Sequence, residues 1–163
     1  MTIDFLKTVI RKFDKRSYIS HDFNEIWQVD LADYSKDNDN YKYILVCVDV
    51  FTRKMWARNL KHKSIHDIDD AFESIFEEIG AAPRLIHADQ EMGIVHSRLL
   101  KDMGIKVYHT YNTDSGAAIA ERAIRTLKMK IAKLRTSVIG HRWSSFTQEA
   151  VNEYNNSKNR TMN

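Results

Sequence analysis

The 163-residue chain contains one cysteine, one proline and five glycines, and it has no long apolar run. A single cysteine, Cys47, excludes an internal disulfide and any zinc site built from several cysteines, and it suits a reducing compartment. The scarcity of proline and glycine leaves no low-complexity linker, and no window of 18 apolar residues offers a membrane span. We therefore expect one compact domain that does not associate with a membrane.

The amino-terminal segment lacks the apolar stretch and small-residue cleavage site of a secretory signal, so we expect a protein that is not secreted. Residues 1–25 are interpreted as a lead-in segment, followed by a domain over 26–158 and a tail over 159–163. The basic residues between Arg11 and Arg16 form either an ordinary polar segment or an arm that contacts phosphates. A net charge of +3 and a pI near 8.9 would suit a protein that binds nucleic acid with one surface.

Apolar residues that alternate or run together predict three strands in the first part of the domain. They are Ile26–Asp33, Tyr41–Val50 and Met55–Asn59. The second strand is apolar almost throughout, as a strand covered on both faces must be, and Cys47 on it is interpreted as a core residue. Asp49 precedes a hairpin turn and is interpreted as a structural turn acid.

The hydrophobic period then changes from two residues to 3.6, which predicts a helix. Ser64 and Asp67 resemble a capping box at its start, and Gly80 and Pro83 mark its end. The remaining predicted elements are a strand over Arg84–Ala88 that ends at Asp89, a short helix over Ser97–Met103, a strand over Ile105–Thr110, a long helix within Tyr111–Val138 and a final helix over Trp143–Asn155.

The long helix carries two distinct faces. At about 100° per residue, one sector predicts a core-facing stripe made of Ile124, Leu127, Ile131, Leu134 and Val138. A second face, in line with Glu121, carries Arg125, Lys128 and Arg135, and these three cations are here named the basic ridge. The basic ridge is either a solvated helix face or a surface for phosphates.

Three strands in antiparallel succession, followed by two strands reached through helical crossovers, predict an α/β domain with a mixed five-stranded sheet flanked by helices. This order is that of the ribonuclease H-like fold. In that fold, acids on the first strand, at the end of the fourth strand and at the start of the following long helix converge. The sequence provides Asp30, Asp89 and Glu121 at those three places.

Five short strings follow one another along the chain. They are Trp27-Gln28-Val29-Asp30, Val48-Asp49-Val50-Phe51-Thr52-Arg53, His87-Ala88-Asp89, Tyr111-Asn112, and Glu121-Arg122 with Thr126-Leu127-Lys128. Together they resemble the catalytic core of retroviral-type integrases, and most closely that of integrases from Polinton (Maverick) DNA transposons. The resemblance implies a polynucleotidyl transferase that trims DNA 3′ ends and joins them to target DNA.

The same resemblance implies that Asp30, Asp89 and Glu121 are the catalytic triad and the metal ligands. Displacement at a phosphodiester needs an activated attacking oxygen and a stabilised leaving oxygen, which two divalent ions provide, and oxygen ligands favour Mg²⁺ or Mn²⁺ over zinc. The second ion is expected only when DNA supplies phosphate oxygens. The segment after Asp89 departs from the family pattern, which leaves Glu91 and Asp114 as rival third acids.

DNA is the implied partner, both as the ends of a mobile element and as a target duplex. The implied DNA contacts are Tyr111, Asn112, Arg125, Lys128 and Arg135. The resemblance also implies a homodimer or higher oligomer, for which Trp143 and Phe146 near the terminal helix would offer apolar surface. Both residues also belong to the predicted buried side of that helix, so Trp143 is interpreted either as a core residue or as an oligomer contact. Such a protein would act in the nucleus or in association with a virus.

Small side chains in residues 112–118 predict a loop that is mobile without DNA. Two alternative functions stay open. One is a ribonuclease H-type nuclease that cuts RNA in hybrids, and the other is a domesticated, non-catalytic integrase that only binds DNA or supports assembly.

Overall fold

The computed structural model of the chain describes residues 20–89, 92–110 and 118–157. The strands are β1 (Ile26–Asp33), β2 (Tyr43–Asp49), β3 (Met55–Leu60), β4 (Leu85–Asp89) and β5 (Lys106–Thr110). The α-helices are α1 (Ile65–Ile79), α2 (Arg98–Asp102), α3 (Ala118–Thr136) and α4 (Thr147–Asn156), with short 3₁₀ turns at Ile94–His96 and Trp143–Phe146.

The five strands form one mixed sheet in the spatial order β3-β2-β1-β4-β5. β1 and β2 pair antiparallel, as do β2 and β3, whereas β4 runs parallel to β1 and β5 runs parallel to β4. The predicted ribonuclease H-like sheet, with its first three strands antiparallel, is therefore confirmed. β1 lies at the centre of this sheet, with a parallel neighbour on one side and an antiparallel neighbour on the other.

Helices cover both faces of the sheet, and each face has its own buried cluster. Toward α1 and α2 the cluster includes Trp27, Cys47, Trp56, Phe72 and Ile86. Toward α3 and α4 it includes Ile44, Val46, Leu127, Ile131 and Trp143. Cys47 is confirmed as a core residue, and burial raises the pKa of its thiol above the ordinary value.

The ends of α1 are fixed by the residues that the sequence indicated. Ser64 precedes the helix, and its hydroxyl accepts a hydrogen bond from the backbone N–H of Asp67 at 3.2 Å. Gly80 follows the helix with φ of 71°, a left-handed conformation that a side chain would strain, and its N–H donates to the carbonyl of Phe76 at 2.8 Å. The predicted start and end of this helix are confirmed.

Val138 was predicted to be the last residue of the core-facing stripe of the long helix, and this prediction is wrong. α3 ends at Thr136, and Val138 lies beyond it with 38% of its surface exposed. The hydroxyls of Thr136 and Ser137 donate to the carbonyls of Lys133 and Leu134 at 2.7 and 2.6 Å. In a continuing helix these carbonyls would accept hydrogen bonds from later backbone N–H groups. Because the hydroxyls compete for them, the helix ends before Val138.

The expectation that Trp143 and Phe146 offer apolar surface for pairing is also wrong. Both side chains are buried, at 1% and 7% exposure, in the cluster beneath α3 and α4. The indole of Trp143 stacks on the ring of Tyr34 with centroids 4.2 Å apart. The predicted final helix is also split, because Trp143–Phe146 forms a 3₁₀ turn before α4 begins at Thr147.

Several predicted features lie outside the described residues. These are the basic segment Arg11–Arg16, the rival acids Glu91 and Asp114, the proposed DNA contacts Tyr111 and Asn112, nearly all of the loop over 112–118, and the tail over 159–163. Among the helices of the described ranges, none is both long and apolar enough to cross a membrane.

Asp49 at the end of β2 connects the turn after that strand to the segment before β1 through one buried carboxylate. Its side chain is fully buried. Oδ1 accepts from the backbone N–H of Asn24 at 2.9 Å, and Oδ2 accepts from the N–H and hydroxyl of Thr52 at 2.6 and 2.8 Å. The interpretation of Asp49 as a structural turn acid is confirmed.

We expect Asp49→Ala to lower the free energy of unfolding by about 3 kcal/mol, because two buried backbone N–H groups would lose a charged acceptor. Chemical denaturation followed by circular dichroism measures this change. Asp70→Ala is the control, since Asp70 on α1 is exposed and only pairs with His66 at 3.6 Å, and it should change stability by less than about 0.5 kcal/mol. Equal losses for the two variants would contradict this account of Asp49.

Candidate functional site

Asp30 and Asp89 lie on neighbouring parallel strands at the same level of the sheet. β1 and β4 are paired as far as Val29 opposite Ala88, and Asp30 and Asp89 are the next residues on each strand. Side chains alternate along a strand, so Asp30 shares a face with Gln28, and Asp89 shares a face with His87, the residue that is paired with Gln28. Both carboxylates therefore project toward the face that α3 covers.

Glu121 comes to this face from the first turn of α3. The start of that helix contacts β1 directly, because the side chain of Gln28 accepts hydrogen bonds from the backbone N–H groups of Ile119 and Ala120. Farther along, Ala123, Ile124 and Leu127 of the helix are buried against the sheet. The three acids predicted from the sequence therefore lie on three separate segments and at one end of the sheet.

The charges of Glu121 and Asp89 both act on the carboxylate of Asp30. Burial raises the pKa of Asp30 above its ordinary value, and the N–H of Leu31, which donates to Oδ1 at 2.8 Å, works against that rise. The negative charges of Glu121 and then Asp89 raise the pKa further, while the ammonium group of Lys63 lowers it. Asp30 is therefore the carboxylate on which both of the others act.

A cation would relieve this repulsion, and the donor atoms indicate which one. Three carboxylates supply only oxygen ligands, which suit Mg²⁺ or Mn²⁺ better than zinc. Among the residues that the structure describes, no group of three or more His, Cys, Asp or Glu side chains is already arranged to hold a metal ion. Asp89 and Glu121 are exposed, so their carboxylates are accessible to ions from solvent.

The basic ridge of α3 is partly occupied by the chain itself. Lys128 Nζ lies 5.3 Å from the centroid of the Tyr34 ring and donates to the carbonyl of Asp33 at 3.4 Å. Arg135 forms an ion pair with Asp37 at 3.7 Å. Arg125, one turn after Glu121, is exposed. The predicted face therefore exists, but the end of β1 and the turn after it already contact two of its three cations.

Sequence reasoning missed two polar residues beneath the acids. Gln28 and His87 are opposite each other on β1 and β4, and both are buried, at 3% and 0% exposure. Burial, with a smaller contribution from His109, lowers the pKa of His87 below its ordinary value. A signal was available, because a polar side chain two residues before an acid on an otherwise apolar strand must share that acid's face.

Comparison with known proteins gives a family and a fold. A model of the integrase core domain family matches residues 20–115, a segment that contains Asp30 and Asp89 and ends before Glu121. Over 132 residues the chain is 33% identical to an uncharacterized transposon-derived protein of Caenorhabditis elegans. That alignment covers 80% of the chain and 46% of the worm protein, so the chain spans less than half the length of this relative.

Solved structures share the fold at lower identity. The catalytic core domain of HTLV-2 integrase, in complex with magnesium and in a dimeric form, matches with a TM-score of 0.69 and 19% identity, covering 83% of this chain and 89% of that one. A chain of the simian T-cell lymphotropic virus intasome, in complex with the PP2A regulatory subunit B56 gamma, matches with a TM-score of 0.73 and 18% identity, covering 97% of this chain and 62% of that one.

We expect Asp30→Asn to raise the thermal unfolding midpoint at pH 7 in metal-free buffer. The pKa of Asp30 is raised in the folded protein, so its ionisation opposes folding at neutral pH, and this penalty is absent below the unfolded-state value of about 3.9. Asparagine keeps an oxygen for the N–H of Leu31 and removes the charge. The difference from wild type should therefore shrink as the pH is lowered toward about 4.

Asp33→Asn is the matched control on the same strand. The pKa of Asp33 is lowered, chiefly by hydrogen bonds from the side chain and backbone N–H of Ser35, so its ionised form favours folding and its replacement should not raise the midpoint. If the midpoint of Asp30→Asn is below that of wild type at pH 7, ionisation of Asp30 does not destabilise the folded protein and the account is contradicted.

Proposed function

Because this chain belongs to the integrase core domain family, we propose that it is the catalytic core of a metal-dependent DNA integrase that trims DNA 3′ ends and joins them to target DNA. The observation that carries the proposal is the convergence of Asp30, Asp89 and Glu121, with both other charges acting on Asp30. The charges of Glu121 and Asp89 disfavour the ionised form of Asp30, so bringing the three acids together does not assist folding at neutral pH. A role in holding cations accounts for their presence.

In this proposal Asp30, Asp89 and Glu121 hold the metal ions. When bound, two Mg²⁺ or Mn²⁺ ions would activate the attacking water or 3′-hydroxyl and stabilise the leaving oxygen. Asp30 would be central to this ligand set, because the charges of both other acids act on it, and the N–H of Leu31 donates to its Oδ1 and fixes its orientation. Phosphate oxygens of DNA would complete the ligand set of the second ion. Cys47 is buried and takes no part.

We further propose that the chain derives from a mobile DNA element of the Polinton (Maverick) type. The five strings described above support this assignment, and the similar worm protein is itself transposon-derived. The partners would then be element ends, a target duplex and at least one further copy of the chain. Such an enzyme would work in the nucleus or in association with a virus.

The first test is catalytic. We expect Asp30→Asn, Asp89→Asn and Glu121→Gln each to reduce strand joining by about 100-fold or more, because each removes the charge of a metal ligand without changing its size. The assay is Mn²⁺-dependent joining on a branched DNA substrate, with circular dichroism to show that the fold is kept. Glu73→Gln, an exposed acid on α1 across the sheet from the candidate site, is the control and should join normally.

Particular results would contradict this assignment. Near-normal joining by Glu121→Gln would remove Glu121 from the triad, and a loss confined to Glu91→Gln or Asp114→Asn would identify the acid that replaces it. If wild type cuts an RNA–DNA hybrid but never joins DNA, the chain is a ribonuclease H-type nuclease. If it binds DNA without either activity, it is a domesticated module.

The second test concerns the basic ridge. If Arg125 and Lys128 contact DNA phosphates, each releases about one counterion on binding. Arg125→Ala and Lys128→Ala should each reduce the slope of log affinity against log salt by about 0.9 on duplex DNA, and should weaken binding to all sequences equally. Fluorescence anisotropy with the same duplex at several salt concentrations measures both quantities.

Lys130 provides the control for these variants. It lies on the opposite side of α3 from Glu121, where its Nζ is 4.0 Å from the carboxylate of Glu153 on α4. Lys130→Ala should therefore leave the salt dependence unchanged. If Arg125→Ala and Lys128→Ala behave in the same way, the basic ridge is only a solvated surface, and the segment from Arg11 to Arg16 becomes the better candidate for holding DNA.

A further inference from the structure

Gln28 is a buried amide in a strand whose neighbouring residues are apolar. Only 3% of its surface is exposed, and it is flanked on β1 by Trp27 and Val29, which are fully buried on the opposite face. Burying an amide in such a place is unfavourable unless its polar atoms are hydrogen bonded. The partners of Gln28 therefore indicate why a glutamine occupies this position.

The side-chain carbonyl of Gln28 accepts two hydrogen bonds from the start of α3. Oε1 lies 3.0 Å from the backbone nitrogen of Ile119 and 3.2 Å from that of Ala120. The first N–H groups of a helix have no partner within the helix, and one carbonyl oxygen has two lone pairs with which to accept both. Gln28 thus caps a helix that begins 90 residues later in the chain.

This cap lies between two of the candidate metal ligands. Gln28 is two residues before Asp30 on the same face of β1, and Ala120 immediately precedes Glu121. The remaining buried contacts of α3, through Ala123, Ile124 and Leu127, lie farther along the helix. They fix the body of the helix against the sheet, whereas Gln28 fixes the end that carries Glu121.

Building on the function proposed above, we propose that Gln28 is a positioning residue that sets the distance between Asp30 and Glu121 and thereby the capacity of the site for divalent cations. Two ions must be enclosed within a few ångströms, and a displacement of about 1 Å at a reacting centre can reduce the rate on the order of 100-fold. Gln28 contacts neither metal nor DNA in this account. It acts by holding the backbone of α3.

Gln28→Met tests the proposal, because methionine has a similar size and no acceptor for the two N–H groups. We expect kcat for strand joining to fall about tenfold or more while KM for DNA changes less than about twofold. Mn²⁺ affinity, measured from the electron paramagnetic resonance signal of the free ion, should fall several-fold. The amide hydrogens of Ile119 and Ala120 should exchange faster with solvent.

Gln28→Glu and Asn155→Leu are the companion variants. Glutamate keeps an acceptor for both N–H groups, so Gln28→Glu should protect the amide hydrogens of Ile119 and Ala120 as wild type does. Amide exchange is the readout for this variant, because its added charge lies beside Asp30 and would itself change cation binding. Asn155 on α4 also bonds two backbone groups, the N–H and carbonyl of Met55 at 2.8 and 2.9 Å, but it does so away from the acids. Asn155→Leu should lower stability without changing Mn²⁺ affinity.

The possible results separate this proposal from the proposed function. Normal Mn²⁺ affinity in Gln28→Met would overturn the positioning role, as would equal losses of affinity in Gln28→Met and Asn155→Leu at matched loss of stability. If wild type binds Mn²⁺ but joins no DNA, the integrase proposal fails, while a selective loss of Mn²⁺ affinity in Gln28→Met would still support the role of Gln28.

Discussion

The parallel pairing of β1 with β4 is the constraint on which the rest of the structure depends. It places Asp30 beside Asp89 as the residues that follow the last paired positions, Val29 and Ala88. A shift of this register by one residue would turn Asp30 to the opposite face, into the cluster that contains Trp27 and Phe72. Since β1 also pairs with β2 over seven residues, from Trp27 to Asp33, such a shift would disrupt the whole centre of the sheet.

This register places Asp30 where its ionised form is unfavourable. Burial and the charges of Glu121 and Asp89 all disfavour the ionised form of Asp30, whereas the N–H of Leu31 and the ammonium of Lys63 favour it. The protein folds despite this electrostatic cost because the two apolar clusters stabilise the sheet independently of the acids. Proteins commonly give up stability at the sites where they act, and these acids fit that pattern.

Local patterns in the sequence were sufficient for the element order and for the three acids. Asp30 and Asp89 could be predicted because strand period and chain order fix their places in the sheet, and Glu121 because the apolar stripe of its helix identifies the face toward the core. Asp49 could be recognised from its position before a turn. For Asp49 the deciding information lies within a few residues of the side chain, whereas the three acids also required the order of elements along the chain and the resemblance to integrase cores.

Features that depend on distant segments could not be predicted in this way. The role of Gln28 rests on contacts with Ile119 and Ala120, more than 90 residues away along the chain. Trp143 was interpreted either as a core residue or as an oligomer contact, and its stacking on Tyr34, which shows that it is core, is not indicated by the local sequence. The contact of Arg135 with Asp37 likewise depends on how the turn after β1 packs against α3.

The central claim is that Asp30, Asp89 and Glu121 form one cation site, and paramagnetic broadening by Mn²⁺ in nuclear magnetic resonance spectra tests it most directly. Sub-stoichiometric Mn²⁺ should broaden the amide signals of Leu31, Asp89 and Ala120 first. The acidic surface of α1, with Asp70, Glu73 and Glu77 exposed, is the natural competitor for a non-specific cation. Broadening centred on α1, with the signals of Leu31 and Ala120 unchanged, would contradict the account.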